Sequence, residues 1–273
     1  MSIDLVDRTQ DRLQTDRFGR SIRGFEEVGS TNTEARSWAR DGAGEGSVVV
    51  TEYQSEGRGR HGRAWTADTG KNLMFSVVLR PTLAPDELGL VTLAAGVAVA
   101  ESVDAFVSPQ RAAIKWPNDV LLEGRKTCGM LLESAFSGAR EEAEAPDFVI
   151  LGIGLNVNQT AFPEELADAA TSLHLASGRS VPRAALFARL LQRLETRYDQ
   201  LLTGEAEAVR RAFSERMDRV NEAVTLRFTG SDRTVDGRVL GITPTGALRL
   251  DTSGGETVVH AGEVTTAPAS TPS

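Results

Sequence analysis

The segment Gln54-Ser55-Glu56-Gly57-Arg58-Gly59-Arg60-His61-Gly62-Arg63-Ala64-Trp65 places three glycines and three arginines within positions 57–63 of a chain whose formal net charge is −8. Glycine lets a backbone approach a ligand closely and adopt positive φ. Arginine supplies a planar, permanently charged fork matched to phosphate and carboxylate. A loop that closes over a phosphate-bearing ligand needs both. The same composition also describes a solvated basic loop or an RGG-like RNA contact, and the loop alone leaves these readings open. It joins two strand patterns, Ser47–Gln54 (SVVVTEYQ) and Asn72–Leu79 (NLMFSVVL), both rich in β-branched and apolar residues.

Three further segments carry possible chemistry. In Lys115-Trp116-Pro117-Asn118-Asp119 a lysine ends the strand Ala112–Lys115, and an acid begins the strand Asp119–Leu122 across a proline turn. Lysine is a point charge for phosphate or carboxylate, and Asp119 could hold Mg²⁺ or orient an incoming amine. The structural alternative is a packed Trp116 and a weak Lys115–Asp119 surface pair. Gly152-Ile153-Gly154-Leu155-Asn156-Val157-Asn158 thins a strand where another group approaches, with Asn156 as donor and acceptor. It is neither a Walker loop nor a dinucleotide fingerprint. In Ser30-Thr31-Asn32, Ser30 or Thr31 is suited to cap a helix, with Glu34 completing a capping box. Equally, two hydroxyls beside an amide suit a small polar head group.

Around these segments the chain alternates strand and helix patterns. Gly24–Val28 reads as a strand and Leu88–Phe106 as a helix. Glu101 and Asp104 and the short apolar run argue for burial of that helix rather than a membrane span. Gly129–Glu133 and Phe148–Gly152 read as paired strands, with Arg140–Asp147 as a solvated hairpin tip. Two amphipathic helices cover 182–203 and 205–218. From Ala223 the strands VTLRF, TVDGRVLGI, GALRL and ETVVH alternate with turns at Gly230-Ser231-Asp232, Pro244-Thr245-Gly246 and Ser253-Gly254-Gly255, which predicts a small all-β barrel. Residues 1–20, alternating Asp and Arg, read as a loosely held start, and 267–273 as a disordered tail.

Composition narrows the classes. At 40% hydrophobic and 25% charged the chain is of ordinary globular type, and its 26 glycines and 10 prolines have no collagen-like period. The single Cys128 forms no internal disulfide, and the three histidines, His61, His174 and His260, are too dispersed for a metal motif, so no metal ligands are assigned. The charged N-terminal stretch has no apolar signal core, which gives a cytoplasmic expectation. There is no GxSxG elbow, HExxH motif or Cys–His pair. The acid balance gives no reason to expect general nucleic-acid binding.

Taken together, the segments resemble the biotin–protein ligases (biotin–[acetyl-CoA-carboxylase] ligases). The matching elements are GSTNTEA at 29–35, TEYQSEGRGRHGRAW at 51–65, NLMFSVVLRP at 72–81, IKWPNDVLLEGRKTCGMLLE at 114–133 and GIGLNVNQ at 152–159, in the family's order. The resemblance implies an α+β fold: a class II aminoacyl-tRNA synthetase-like catalytic domain with a mixed sheet over 21–218, and an SH3-like C-terminal domain over 219–266. It implies ATP, Mg²⁺ and biotin, formation of biotinyl-5′-AMP, and transfer to a lysine of a biotin carboxyl carrier domain. Ser30, Thr31, Asn32 and Gln54 would hold the ureido head of biotin. Arg58, Gly59 and Arg60 would close over the biotinyl and phosphate groups, Arg63 would contact nucleotide phosphates, and Trp65 would cover the adenylate. Lys115 would bridge the biotin carboxylate and α-phosphate, Asp119 would aid the acceptor amine or metal, and Asn156 would meet the adenosine. His61 stands where the family's loop is often more basic. Only about 20 residues precede the catalytic region, so the DNA-binding role of some members is not expected, and neither is membrane association. Monomer and homodimer both stay open. A lipoate–protein ligase or octanoyltransferase is the alternative enzyme, and an RNA-binding module using the arginine loop the alternative of another class.

Overall fold

The strand patterns assemble into one mixed sheet with helices on both faces. The computed structural model describes residues 3–136, 145–228 and 232–266. Most of the expected hairpin tip at Arg140–Asp147, part of the turn at Gly230-Ser231-Asp232 and the expected tail at 267–273 lie outside the described residues. The sheet contains β1 (Ile22–Val28), β2 (Val48–Gln54), β3 (Leu73–Leu79), β4 (Ala113–Lys115), β5 (Asp119–Leu122), β6 (Arg125–Ala135) and β7 (Phe148–Leu155). Their spatial order is β1-β2-β3-β7-β6-β5-β4. The pair β1–β2 is parallel, joined through helix α2 (Thr31–Arg40), and the other neighbours are antiparallel. Every residue of β3 is buried, which is why NLMFSVVL shows a continuous apolar run instead of alternation.

Helix α3 (Gly89–Val107) packs on one face, with the short α4 (Leu173–Ser177), α5 (Arg183–Leu202) and α6 (Ala206–Ser214) against it. By length and composition alone α3 could cross a membrane, but 78% of its most apolar window is buried inside the protein. Its two acids are accommodated by pairing: Glu101 with Arg197, and Asp104 Oδ2 with Arg216 Nη1 at 2.7 Å. On the opposite face Ala35, Trp38 and Ala39 of α2 cover Val49, Val78 and Ile150.

The C-terminal strands β8 (Ala223–Phe228), β9 (Thr234–Ile242), β10 (Leu248–Thr252), β11 (Gly255–Val259) and β12 (Gly262–Thr266) form a second, antiparallel sheet in the order β11-β10-β9-β8-β12. Several contacts fasten it to the first unit, two of them through backbone groups. Trp116 Nε1 donates 3.0 Å to the carbonyl of Gly246. The chain at 216–218 lies along the edge strand β4, with Ile114 N donating 2.7 Å to Arg216 O and Asp218 N donating 2.8 Å to Ile114 O. That contact occupies backbone groups an open sheet edge would expose.

The N-terminal residues depart from the expected loose start. Helix α1 (Asp4–Gln10) buries Leu5 and Val6, Ile3 joins the same core, and Phe18 is fully buried against Tyr198 with ring centroids 5.6 Å apart. The carboxylate of Glu195 on α5 accepts the backbone N–H groups of Asp16, Arg17 and Phe18 at 2.9, 2.6 and 3.1 Å. The alternating charges occupy the outer face of this segment and hide its apolar inner set in the sequence. Residues 3–20 are therefore a packed part of the catalytic unit.

Glu195 is only 8% exposed, so removing it strands three amides away from an acceptor. Glu195→Ala should lower unfolding stability by about 3 kcal/mol, read as a fall in the urea midpoint at unchanged m, with Glu195→Gln recovering part of the loss.

Candidate active site

Two cavities meet on the face of the sheet that carries α2. The narrower, about 50 Å³, is lined by Ser30, Thr31, Asn32, Gln54, Arg58, Met130, Leu131, Gly152 and Ile153 among others. The larger, about 460 Å³, includes Arg63, Lys115, Asp119, Asn156, Phe162, Asp218 and Glu263. Gly59, Arg60, Trp65, Asn118 and Lys126 line both and form the junction.

The narrow cavity is uncharged and polar at one end. Ser30 is the residue before α2, yet its side chain makes no capping hydrogen bond, and the expected capping box does not form. Instead the Thr31 amide donates 2.8 Å and its hydroxyl 3.1 Å to Gln54 Oε1. Asn32 Nδ2 donates 2.7 Å to Glu133 Oε2, and Asn32 Oδ1 lies 2.6 Å from Ser76 Oγ. The glycines of β7 make room for this. A Cβ on Gly152 would sit 2.2 Å from Asn32 Oδ1, and one on Gly154 would sit 2.4 Å from the indole of Trp65. Trp65 thus lies flat over the sheet, with Lys126 Nζ 5.7 Å from its ring centroid, and its indole Nε1 is buried with no acceptor among the described residues.

The arginine loop is folded back on itself. Arg58 and Ala64 bridge, and Gly59 N donates 2.7 Å to Arg63 O. Arg58 Nη2 donates 3.1 Å to Thr33 Oγ1. Arg60 Nη1 donates 2.9 Å to Asn118 Oδ1, and desolvation at the junction lowers the Arg60 guanidinium from its ordinary value. Arg63 makes a two-pronged pair with Glu263 of β12, at 2.9 and 2.5 Å. This pair holds the arginine well protonated and the carboxyl below the usual carboxylate range.

The two lysines divide differently from the sequence reading. Lys115 lines only the larger cavity, where burial raises the Asp218 carboxyl against the opposing charges of Arg219 and Lys115, and where Lys115 adds to the lowering of Glu263 by Arg63. Lys126, which the sequence reading passed over, lines both cavities, and its Nζ stands 2.7 Å from Asp119 Oδ1. Asp119 is aligned with Lys115 across the β4–β5 pair, but its carboxylate turns to Lys126. Asn156 is 4% exposed and held in place, its Nδ2 donating 3.1 Å to Thr171 O. Ser76 and Glu133 also escaped notice, since each lies inside a strand and acquires its partner only when the strands pair. Burial pushes the Cys128 thiol far up, so it offers no thiolate nucleophile.

The model described as the biotin/lipoate A/B protein ligase family matches residues 24–156, and the biotin protein ligase C terminal domain matches 220–265. A Mycobacterium tuberculosis protein named biotin--[acetyl-CoA-carboxylase] ligase is 37% identical over 243 residues, 87% of this chain and 86% of the relative. A Bacillus spizizenii bifunctional ligase/repressor, BirA, is 34% identical over 254 residues, 92% of this chain and 76% of the relative. The structure of biotin protein ligase from Aquifex aeolicus in complex with biotin and ATP aligns with a TM-score of 0.76 at 27% identity, covering 90% of this chain and 98% of that one. The chain belongs to the biotin protein ligase family.

The Arg63–Glu263 pair has a pH signature. A carboxyl depressed in the folded state contributes stability that is fully present above its unfolded value and lost as pH falls through its folded value. Carbon-13 NMR titration should place the Glu263 midpoint below that of an ordinary glutamate, and Arg63→Ala should return it to the ordinary range.

Proposed function

We infer that this chain activates biotin with ATP to biotinyl-5′-AMP, releasing pyrophosphate, and then passes the biotinyl group to a lysine amine of a biotin carboxyl carrier domain, releasing AMP. The observation that carries this reading is the junction: a slot that is uncharged and polar at its far end and a larger cationic chamber share Arg60, Trp65 and Lys126. A uncharged ureido head matches hydroxyls and amides at Ser30, Thr31, Asn32 and Gln54. The acyl chain then leads the carboxylate to the junction.

Adenylation puts negative charge on the attacking carboxylate and on the α-phosphate oxygens together. Fixed cations already in place stabilise that charge without reorganisation. Lys126 is suited to bridge the two groups, because it alone of the two lysines borders both cavities, and its contact with Asp119 holds its Nζ in place. Lys115 then serves the phosphates farther along the larger cavity. Arg58 and Arg60 close the loop over the acyl-phosphate, and the flat indole of Trp65 roofs it, its free N–H available to an adenylate oxygen. Arg63 exchanges Glu263 for a nucleotide phosphate. Asn156, held by Thr171, shapes the adenosine end. Mg²⁺ would accompany ATP and neutralise phosphate charge; no cluster of acidic, histidine or cysteine side chains that could hold a metal occurs among the described residues, so phosphate oxygens and water would supply most of its ligands.

In the second step the carrier amine attacks the acyl carbon of the anhydride, and AMP leaves with the electron pair of the broken C–O bond. The class II aminoacyl-tRNA synthetase-like description suits the catalytic sheet, and the SH3-like description suits the second sheet. The activity belongs in the cytoplasm, where ATP and carrier are both available. Either a monomer or a homodimer is compatible with a site built from one chain.

Lys126→Ala should lower pyrophosphate exchange at least about 100-fold, whereas Lys115→Ala should mainly raise the KM for ATP, by roughly tenfold. Arg60→Gly should still form biotinyl-AMP but release it roughly ten- to a hundredfold faster, seen as stray biotinylation of a bystander protein. If Arg60→Gly abolishes exchange and leaves the bystander clean, Arg60 acts in the chemistry of adenylation instead. With a formal charge of −8, fluorescence anisotropy at physiological salt should show no sequence-dependent duplex DNA binding.

A further inference from the structure

Behind the narrow slot lies a chain of buried groups that do not border it by themselves. Ser76, on the central strand β3, is fully buried, and its Oγ lies 2.8 Å from Thr31 Oγ1 and 2.6 Å from Asn32 Oδ1. A serine has one hydroxyl hydrogen. The Thr31 hydroxyl hydrogen is directed at Gln54 Oε1, at 3.1 Å, so it does not serve Ser76 or Asn32. Two acceptors therefore compete for the single hydrogen of Ser76, and the one left without it keeps its full acceptor capacity for whatever enters the slot.

Which end of Asn32 faces Ser76 is decided on the other side. Asn32 Nδ2 meets Glu133 Oε2 at 2.7 Å. An ionised carboxylate only accepts, so the amide nitrogen must turn toward Glu133 and the oxygen toward Ser76. Glu133 is itself held by Arg36 Nη2 at 3.2 Å from Oε1, and Arg58 Nη2 lies 3.8 Å from Oε2. Both guanidiniums face the carboxylate, and the second belongs to the arginine loop.

We propose that Glu133 and Ser76 are positioning residues that set the hydrogen-bond polarity of the slot, leaving it one acceptor in excess so that it selects a ligand head bearing N–H donors. The proposal rests on the reading of the slot as the ureido subsite. It adds that selection for N–H comes from groups behind the slot. Glu133→Gln ends the constraint: a carboxamide can donate as well as accept, Asn32 can reverse, and the slot then presents a donor against the ligand's N–H.

The test uses calorimetric binding of the full chain with biotin, desthiobiotin and the two cyclic carbamate analogues of desthiobiotin in which one ring N–H is replaced by oxygen. Wild type should bind one carbamate roughly ten- to a hundredfold more weakly than desthiobiotin, the loss of one buried hydrogen bond plus an unmet acceptor. Glu133→Gln should bind biotin and desthiobiotin about tenfold more weakly, and its carbamate penalty should shrink to within about threefold. Glu133→Asp, which keeps an acceptor-only group, should keep the penalty. Should Glu133→Gln fail to fold, Ser76→Ala probes the other end: with the competing hydrogen gone, both carbamates should be penalised. An equal carbamate penalty in wild type and Glu133→Gln, or unchanged biotin affinity in that variant, overturns the proposal and leaves the ureido reading intact. Wild type that binds biotin without penalising either carbamate does the same. Wild type that fails to bind biotin overturns the ureido reading and the proposal together.

Discussion

The site exists because three positions on one face of the sheet have no side chain. Gly129 lies opposite Gly154 across the β6–β7 pair, and Gly152, two residues along β7, lies opposite Ser76 on β3. Alternation along a strand puts Gly152 and Gly154 on the same face. Anywhere else in this sheet such a row would weaken packing. Here it is a floor on which Asn32 and Trp65 lie, and Gly129 adds the space crossed by the Lys126 side chain, whose Nζ would be 3.0 Å from a Cβ at that position. The polar slot, the indole roof and the junction lysine all depend on this bare patch. A single methyl at Gly154 would lift the roof, and one at Gly152 would expel the amide that gives the slot its polarity.

How much of this could be read from the chain follows from the range of each interaction. The strands around the arginine loop were legible because β-branched runs and flanking glycines are local signals, and helix α3 was legible from its continuous apolar composition. Ser30, Thr31, Asn32 and Gln54 were legible as a group through family resemblance, and the structure brings them to one cavity. Lys126 was not, because in GRKTCG it looks like a solvated turn lysine. Its place at the junction arises from the pairing of β5 with β6 and from Gly129 beside it. Lys115, in the conspicuous KWPND segment, borders only the larger cavity. The Arg63–Glu263 pair joins residues 200 positions apart, a separation at which no local pattern speaks. The capping-box reading of Ser30-Thr31 failed for an instructive reason: the hydroxyl and amide that would have closed the helix end are turned to Gln54 instead.

The glutamate clasp on the first residues also bears on how the chain is made. Glu195 reaches amides 177 to 179 positions earlier, and Phe18 rests on a ring at Tyr198. On a ribosome, synthesis runs at about 5–20 residues per second, so the first turn waits on the order of ten seconds or more for its partner to emerge. During that interval helix α1 and Phe18 lack the cover that α5 gives them in the folded protein. The alternating Asp and Arg of that stretch then matter before the fold exists, as charges that keep a waiting apolar segment soluble until helix α5 arrives to receive it.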